Sequence, residues 1–108
     1  MTQSLIYVTA SSRDEAVKIG CQVVENRLAA CANVLAGTAS IYWWEGTVTE
    51  DEEVSLILKT RTDLVDRLVE KVKEIHSYDC PCVVSMPITG GNQGFLDWID
   101  AETVETSE

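Results

Sequence analysis

Ser40–Thr60, SIYWWEGTVTEDEEVSLILKT, decides the fold: two runs of aromatic and β-branched residues flank a Glu45-Gly46 turn signal and read as one long β-hairpin. Side chains alternate across a strand, which sends Tyr42 and Trp44 to one face and Trp43 to the other. Both faces of the arm then carry large aromatics. A two-stranded arm in a small protein cannot bury both from its own chain, so another subunit is expected to cover Tyr42, Trp43 and Trp44.

Upstream of the arm, Ser4–Thr9 is a short strand rich in β-formers, and Ser12 with Glu15 three residues on forms a capping box. The helix it opens runs to about Ala29. A second strand enters through Asn33–Gly37 and continues into the arm, and a third returns over Val54–Thr60. Downstream, Thr62 or Asp63 caps a second helix whose apolar stripe is Leu64, Val65, Leu68, Val69, Val72 and Ile75. Asp63 with Arg67 and Glu70 with Lys73 support its wet side. Ser77–Cys80 is a connector, Cys82–Met86 a fourth strand ended by Pro87, Gly90–Gly94 a flexible loop, and Phe95–Ile99 a short helix.

The order β-α-β-β-α-β with one appended helix is the split βαβ, or ferredoxin-like, α+β arrangement. Two helices cover one face of a four-stranded antiparallel sheet and leave the other bare. Tyr7, Trp43, Trp44 and the strand aliphatics are too apolar for a fully wet face. Oligomerisation is the natural cover.

At 108 residues with 45% hydrophobic content the chain is one domain, residues 1–108, with room for one core and not two. Its acidic end, from about 102 to 108, reads as a flexible tail. No apolar run reaches eighteen residues, and MTQSLIYVTA lacks a basic region followed by a long apolar stretch, so a cytoplasmic protein with no membrane partner is expected. Eighteen acidic against eight basic residues give a net charge of −10 with no basic cluster, which repels phosphate backbones and excludes nucleic acid. Glu50-Asp51-Glu52-Glu53 and the acids after Asp97 lack the Asp-x-Asp-x-Asp-Gly spacing that wraps calcium; they read as a solvated face and tail.

The four cysteines differ in setting. Cys21 falls at helical spacing with Val17, Val24 and Leu28 and reads as a small core hydrophobe. Cys31 lies among alanines where a helix hands over to a strand, where burial keeps a thiol inert. Cys80-Pro81-Cys82 is an extended Cys-x-Cys that presents both sulfurs to one side, a chelating pattern for a soft metal. Four cysteines permit three disulfide pairings, but a cytosolic setting argues against any. Catalysis has no support: there is one histidine, no Gly-x-Ser-x-Gly elbow and no phosphate-cradling glycine loop, so an enzyme is not expected.

Several motifs resemble one family. Ala29-Ala30-Cys31-Ala32-Asn33, then Ser40-Ile41-Tyr42-Trp43-Trp44-Glu45-Gly46, then Glu53 through Lys59-Thr60, then His76-Ser77-Tyr78 with Pro81 are similar in order to the CutA divalent-cation tolerance family, over nearly the whole chain. The resemblance implies a ferredoxin-like subunit in a tight homotrimer with an architecture like the PII signalling proteins, the aromatic arm serving as the trimer contact. It also implies a link to tolerance of copper and other divalent metals, and for some animal relatives an association with acetylcholinesterase anchoring. Subunit clefts arranged as in PII-like trimers would use Trp44, Glu53, Lys59 and Tyr78 to hold a small ligand.

Family copper sites combine a cysteine in the first strand with two adjacent histidines after the second helix. Carried over, Val8 stands at the cysteine, Ile75 at the first histidine, and only His76 matches. Ser77 replaces the usual proline before Tyr78, and Cys82 stands where an acid is common. His76, Cys80 and Cys82 offer instead one nitrogen and two sulfurs in a short segment, ligands that suit copper(I) or zinc. Equally, His76 suits a helix C-terminus, where a cation is favoured, with the two thiols filling strand positions.

Overall fold

The computed structural model describes residues 2–103. Its elements are β1 (Gln3–Ala10), α1 (Arg13–Glu25), β2 (Cys31–Trp44), β3 (Thr47–Arg61), a 3-10 turn over Thr62–Leu64, α2 (Val65–Ile75), β4 (Val83–Ile88) and α3 (Gln93–Glu102). The four strands form one antiparallel sheet in the order β2-β3-β1-β4.

The hairpin forms as its residues dictate. Trp44 pairs with Thr47, leaving a two-residue turn in which Glu45 (φ 50°) and Gly46 (φ 80°) are both left-handed. A turn of that hand matches the twist of the flanking strands, and glycine takes its second position without strain. Tyr42 faces Thr49 and Trp43 faces Val48, so the expected split of the aromatics between two faces holds. A register shift between Leu35 and Thr38, at Gly37 (φ 81°), bends β2 where the arm leaves the body. The arm stretches the molecule to 44 × 31 × 21 Å and its radius of gyration to 14.5 Å, against about 13 Å for a compact chain of this size.

One face of the sheet carries the core. Ile6, Val8 and Ala10 of β1 and Val54, Leu56 and Leu58 of β3 pack against Ala16, Ile19 and Val23 of α1 and Leu68 and Val72 of α2. Each large aliphatic buried this way contributes about 1.5–3 kcal/mol. The α2 stripe is as the periodicity predicts, with Leu64, Leu68 and Val72 buried and Val65, Val69 and Ile75 half-buried. Glu70 and Lys73 pair at 3.5 Å. Neither Thr62 nor Asp63 caps α2, however: the chain enters through the 3-10 turn, and the Asp63 carboxylate accepts both Arg61 Nε (3.0 Å) and a second Arg61 nitrogen (3.2 Å).

α1 departs from expectation twice. It stops at Glu25, not Ala29, because Leu28 N–H bonds Val23 O (2.9 Å) and Arg27 N–H bonds Val24 O (3.0 Å), a Schellman ending with Arg27 (φ 61°) in place of the usual glycine. Cys21 is exposed, so it is not core. The buried stripe is Ala16, Ile19, Gly20 and Val23, rotated by one position, because Gly20 lets the helix settle directly on β2: a Cβ there would stand 3.0 Å from Ala32 Cβ. Cys31 opens β2 and is only half-buried.

β4 runs through Pro87 instead of stopping before it; as an edge strand it tolerates the missing N–H. α3 starts at Gln93 because Asn92 caps it, its side chain accepting Gly94 N–H at 3.0 Å. The helix lies across the end of the second sheet face. Gln3 Nε2 donates to both oxygens of Asp100 (3.0 and 3.2 Å), Ile99 is fully buried, and Glu102 pairs with Arg27 at 2.8 Å. Thr103 is buried with its hydroxyl donating to Ile99 O. The expected flexible tail from about 102 lies almost wholly in residues 104–108, outside the described part of the chain.

Candidate functional site

Beyond α3 the second face of the sheet is open. Strand register puts Tyr7 and Thr9 of β1, Ser55 and Ile57 of β3, Val84 and Met86 of β4 and Leu35 of β2 on it, and Val84, Met86 and Leu35 are each about half exposed. A row of polar groups crosses this face toward the arm. Ser55 Oγ meets Tyr7 Oη at 2.8 Å and Thr38 Oγ1 at 2.6 Å. Two residues farther along β3, Tyr78 Oη donates to Glu53 Oε2 at 2.7 Å, and two beyond that Tyr42 Oη donates to Asp51. Burial, then the hydrogen bond and negative charge of Glu53, push the Tyr78 phenol up from its ordinary value. The bond to Asp51, then desolvation, raises Tyr42.

Tyr78 is held by a junction behind it. His76 Nε2–H donates to Thr9 O (2.8 Å), and Nδ1 accepts Tyr78 N–H (3.1 Å), so both ring nitrogens are used by the backbone. The ring is completely buried and stacks on Tyr78 at 4.6 Å between centroids. Glu15 closes the junction: Oε1 accepts Ser11 N–H (3.0 Å) and Ser11 Oγ–H (2.8 Å), and Oε2 accepts Ser77 N–H (2.7 Å) and stands 3.6 Å from His76 Nδ1. Burial alone would raise the Glu15 carboxyl, but these donors outweigh it and draw it down to about 2.

The sequence-predicted ligands are not assembled as expected. His76 is committed on both nitrogens, and among the described residues no group of three or more His, Cys, Asp or Glu side chains is gathered closely enough to hold a metal ion. His76, Cys80 and Cys82 therefore do not form a three-ligand centre. Cys80 and Cys82 are free and exposed, and partial burial pushes the Cys82 thiol up, opposed by the Thr9 hydroxyl and assisted by Glu53. Val8 is fully buried in the helix-side core and Ile75 packs against it, so both positions serve packing.

Of Trp44, Glu53, Lys59 and Tyr78, one chain brings together only Glu53 and Tyr78. Thr47, opposite Trp44, and Lys59 lie six residues to either side of Glu53 on β3, about 20 Å away in each direction. Lys59 Nζ instead donates to Asn33 Oδ1 (2.7 Å) and sits 5.7 Å from the Phe95 ring centroid. Sequence reasoning saw Glu15 only as a capping residue and missed the Tyr42–Asp51 and Ser55–Thr38 contacts. Counting back from the Glu45-Gly46 turn would have found both, since it sets which β2 and β3 residues share a face.

The arm itself is uncovered. Trp43 is 74% and Trp44 61% exposed, with Ile41 and Val48 beside them. No helix among the described residues is long and apolar enough to cross a membrane.

The family model described as CutA1 divalent ion tolerance protein matches residues 4–102. The divalent-cation tolerance protein CutA of Thermus thermophilus is 42% identical over 101 residues, covering 94% of this chain and 98% of its own length. The chain is also 42% identical to the chloroplastic protein CutA 1 of rice, but spans only 58% of that longer protein, and 54% of its chloroplastic Arabidopsis counterpart. The crystal structure of CutA1 from rice superposes with a TM-score of 0.94 at 40% identity, covering 98% of this chain and 97% of that one. With the family model spanning α1, the aromatic arm, α2 and the whole of α3, the chain belongs to the CutA divalent-cation tolerance family.

Proposed function

We propose that this chain acts in tolerance of divalent metal ions, copper among them, as a homotrimer of ferredoxin-like subunits in the cytoplasm. The observation that carries the assembly is the uncovered aromatic arm: Trp43 and Trp44, more than half exposed on opposite faces of one hairpin, are a cost in water that neighbouring copies remove. The Thermus relative's name as a divalent-cation tolerance protein supports the physiological role, and the four free cysteines fit a reducing compartment. Expression in a copper-sensitive host lacking its own homologue tests the role. Growth on copper should be restored; an accumulated, folded protein that restores none would overturn it.

A second reading rests on the Glu53–Tyr78 pair. With Trp44 and Lys59 each about 20 Å from Glu53 along β3, a cleft containing all four needs residues from two subunits, as in a PII-like module that binds a small ligand. Glu53→Gln should then abolish a ligand found by an unbiased thermal-shift screen of wild type. Equal shifts in both proteins would count against a cleft at Glu53.

A further inference from the structure

We infer that Lys59, Asn33 and the Phe95–Trp98 ring pair form a binding site for a small monocarboxylate with an aromatic body. The site lies where α3 crosses the second face of the sheet. Lys59 is flanked in register by Leu5, and Asn33 stands opposite Ile57 on the next row of the same face. Lys59 Nζ donates to Asn33 Oδ1 at 2.7 Å, a diagonal cross-strand contact, and lies 5.7 Å from the centroid of the Phe95 ring. Trp98 follows one turn along α3 and packs on Phe95 with 5.4 Å between centroids and 34° between planes. The two rings are 42% and 40% exposed, so both keep free surface beside the ammonium. The inference goes beyond both functional readings: it needs no metal, and it uses residues of one chain instead of a cleft shared with Glu53.

The charge of the site selects the ligand. Arg27 is paired with Glu102, Arg61 with Asp63, Lys71 with Glu74 and Lys73 with Glu70. Lys59 has no carboxylate partner among the described residues; a neutral amide and a ring hold it instead. A cation set among apolar side chains without a counter-ion is a charge that an anion stabilises. The polar groups left over are donors. Lys59 has used one of its three N–H bonds, and Asn33, which accepts through its oxygen, keeps its NH2. Two acceptor oxygens sharing one negative charge, as in a carboxylate, complement that set. A doubly charged phosphate would need a second cation, and Arg61, two residues on along β3, is already held by both oxygens of Asp63. The exposed rings of Phe95 and Trp98 supply a flat apolar wall beside the charge, which suits an aromatic body attached to the carboxylate.

The test is an NMR titration of the full-length, nitrogen-15-labelled protein with 3-phenylpropionate and its neutral analogue 3-phenylpropionamide, read at the Asn33 side-chain amide and the Trp98 indole N–H. 3-Phenylpropionate should shift both signals saturably at low-millimolar concentration, the range expected for a fragment of about eleven non-hydrogen atoms. The amide should bind about tenfold more weakly, for want of the charge-assisted bond to Lys59. Lys59→Gln should remove the preference for acid over amide, and Phe95→Ala should weaken the binding of both. Wild type alone can overturn the site, whether or not these variants fold: an acid that shifts neither signal, or an acid and an amide that bind equally, would each do so. Glu53→Gln should bind 3-phenylpropionate as wild type does. Loss of binding in that variant would overturn the inference by moving the carboxylate into the two-subunit cleft. That cleft fails separately, when a ligand from the thermal-shift screen stabilises wild type and Glu53→Gln alike, a result that leaves 3-phenylpropionate binding at Lys59 untouched.

Discussion

Replacing Glu15 by glutamine changes one charge and tests the junction that holds His76 and Tyr78. The carboxylate accepts Ser11 N–H and O–H on one oxygen and Ser77 N–H on the other, so an amide must turn its NH2 toward at least one of those donors whichever way it flips. The first cost is an unpaired donor, about 1–3 kcal/mol. The second is the lost charge. A carboxyl moved from its ordinary 4.5 to about 2 carries at most about 3 kcal/mol, and with solvent at the mouth of the junction about 1–2 kcal/mol is a fairer figure. Glu15→Gln should therefore cost about 2–5 kcal/mol at pH 7.

The sign of the pH effect follows from the depressed value. Stability from an acid whose folded pKa lies below its unfolded pKa is fully present above the unfolded value and is lost as pH falls toward the folded one. For Glu15 that window runs from 4.5 down to about 2. Urea unfolding of wild type and Glu15→Gln at one fixed protein concentration, at several pH values from 7 to 3, should show the gap constant down to about pH 5 and then narrowing, by about a quarter to a third at pH 3. A gap that stays the same from pH 7 to pH 3 would refute the ionic character of this junction.

Gly20→Ala should destabilise by about 1–3 kcal/mol despite alanine's higher helix propensity, because the new methyl meets Ala32 Cβ, which is fixed to the β2 backbone and cannot swing away; thermal melts would show it, and a raised melting temperature would mean that α1 can lift off the sheet at no cost. Tyr78→Phe should cost about 1–2 kcal/mol by removing the donor to Glu53. Since the folded phenol titrates above its unfolded value of 10.0, its stabilisation is present below about pH 10 and lost above it, so wild type and variant should converge in alkaline solution. Trp44→Ala should cost about 3–5 kcal/mol if another copy buries the ring, against about 0.5 kcal/mol for a side chain left in water; melting curves at several protein concentrations separate the two.

The hairpin was legible because a Glu-Gly pair between two β-rich runs leaves one economical turn, and the turn fixes the register of every residue in the arm. α2 was legible for a similar reason: its stripe is made of large aliphatics at helical spacing. α1 was harder. Its end lacks the glycine that usually marks one, Arg27 taking the left-handed position, and its buried face is set by Gly20, a residue that contributes by what it lacks. Cys21 then looked like core by its spacing alone. His76 looked like a ligand because a lone histidine beside two cysteines carries that signal, but the bond from its Nε2 to Thr9 O spans 67 residues and depends on how α2 returns to the sheet. The α3 start was hidden by Gly94, which follows the Asn92 cap inside the first turn.

The central claim is that neighbouring copies cover the arm, and multi-angle light scattering after size exclusion of the full chain at micromolar concentration tests it most directly. Three copies of the 11.9 kDa chain, eluting as one species near three times that mass, is the expected result. A stable species at the mass of one chain would contradict it, leaving Trp43 and Trp44 exposed in solution as they are in the single subunit.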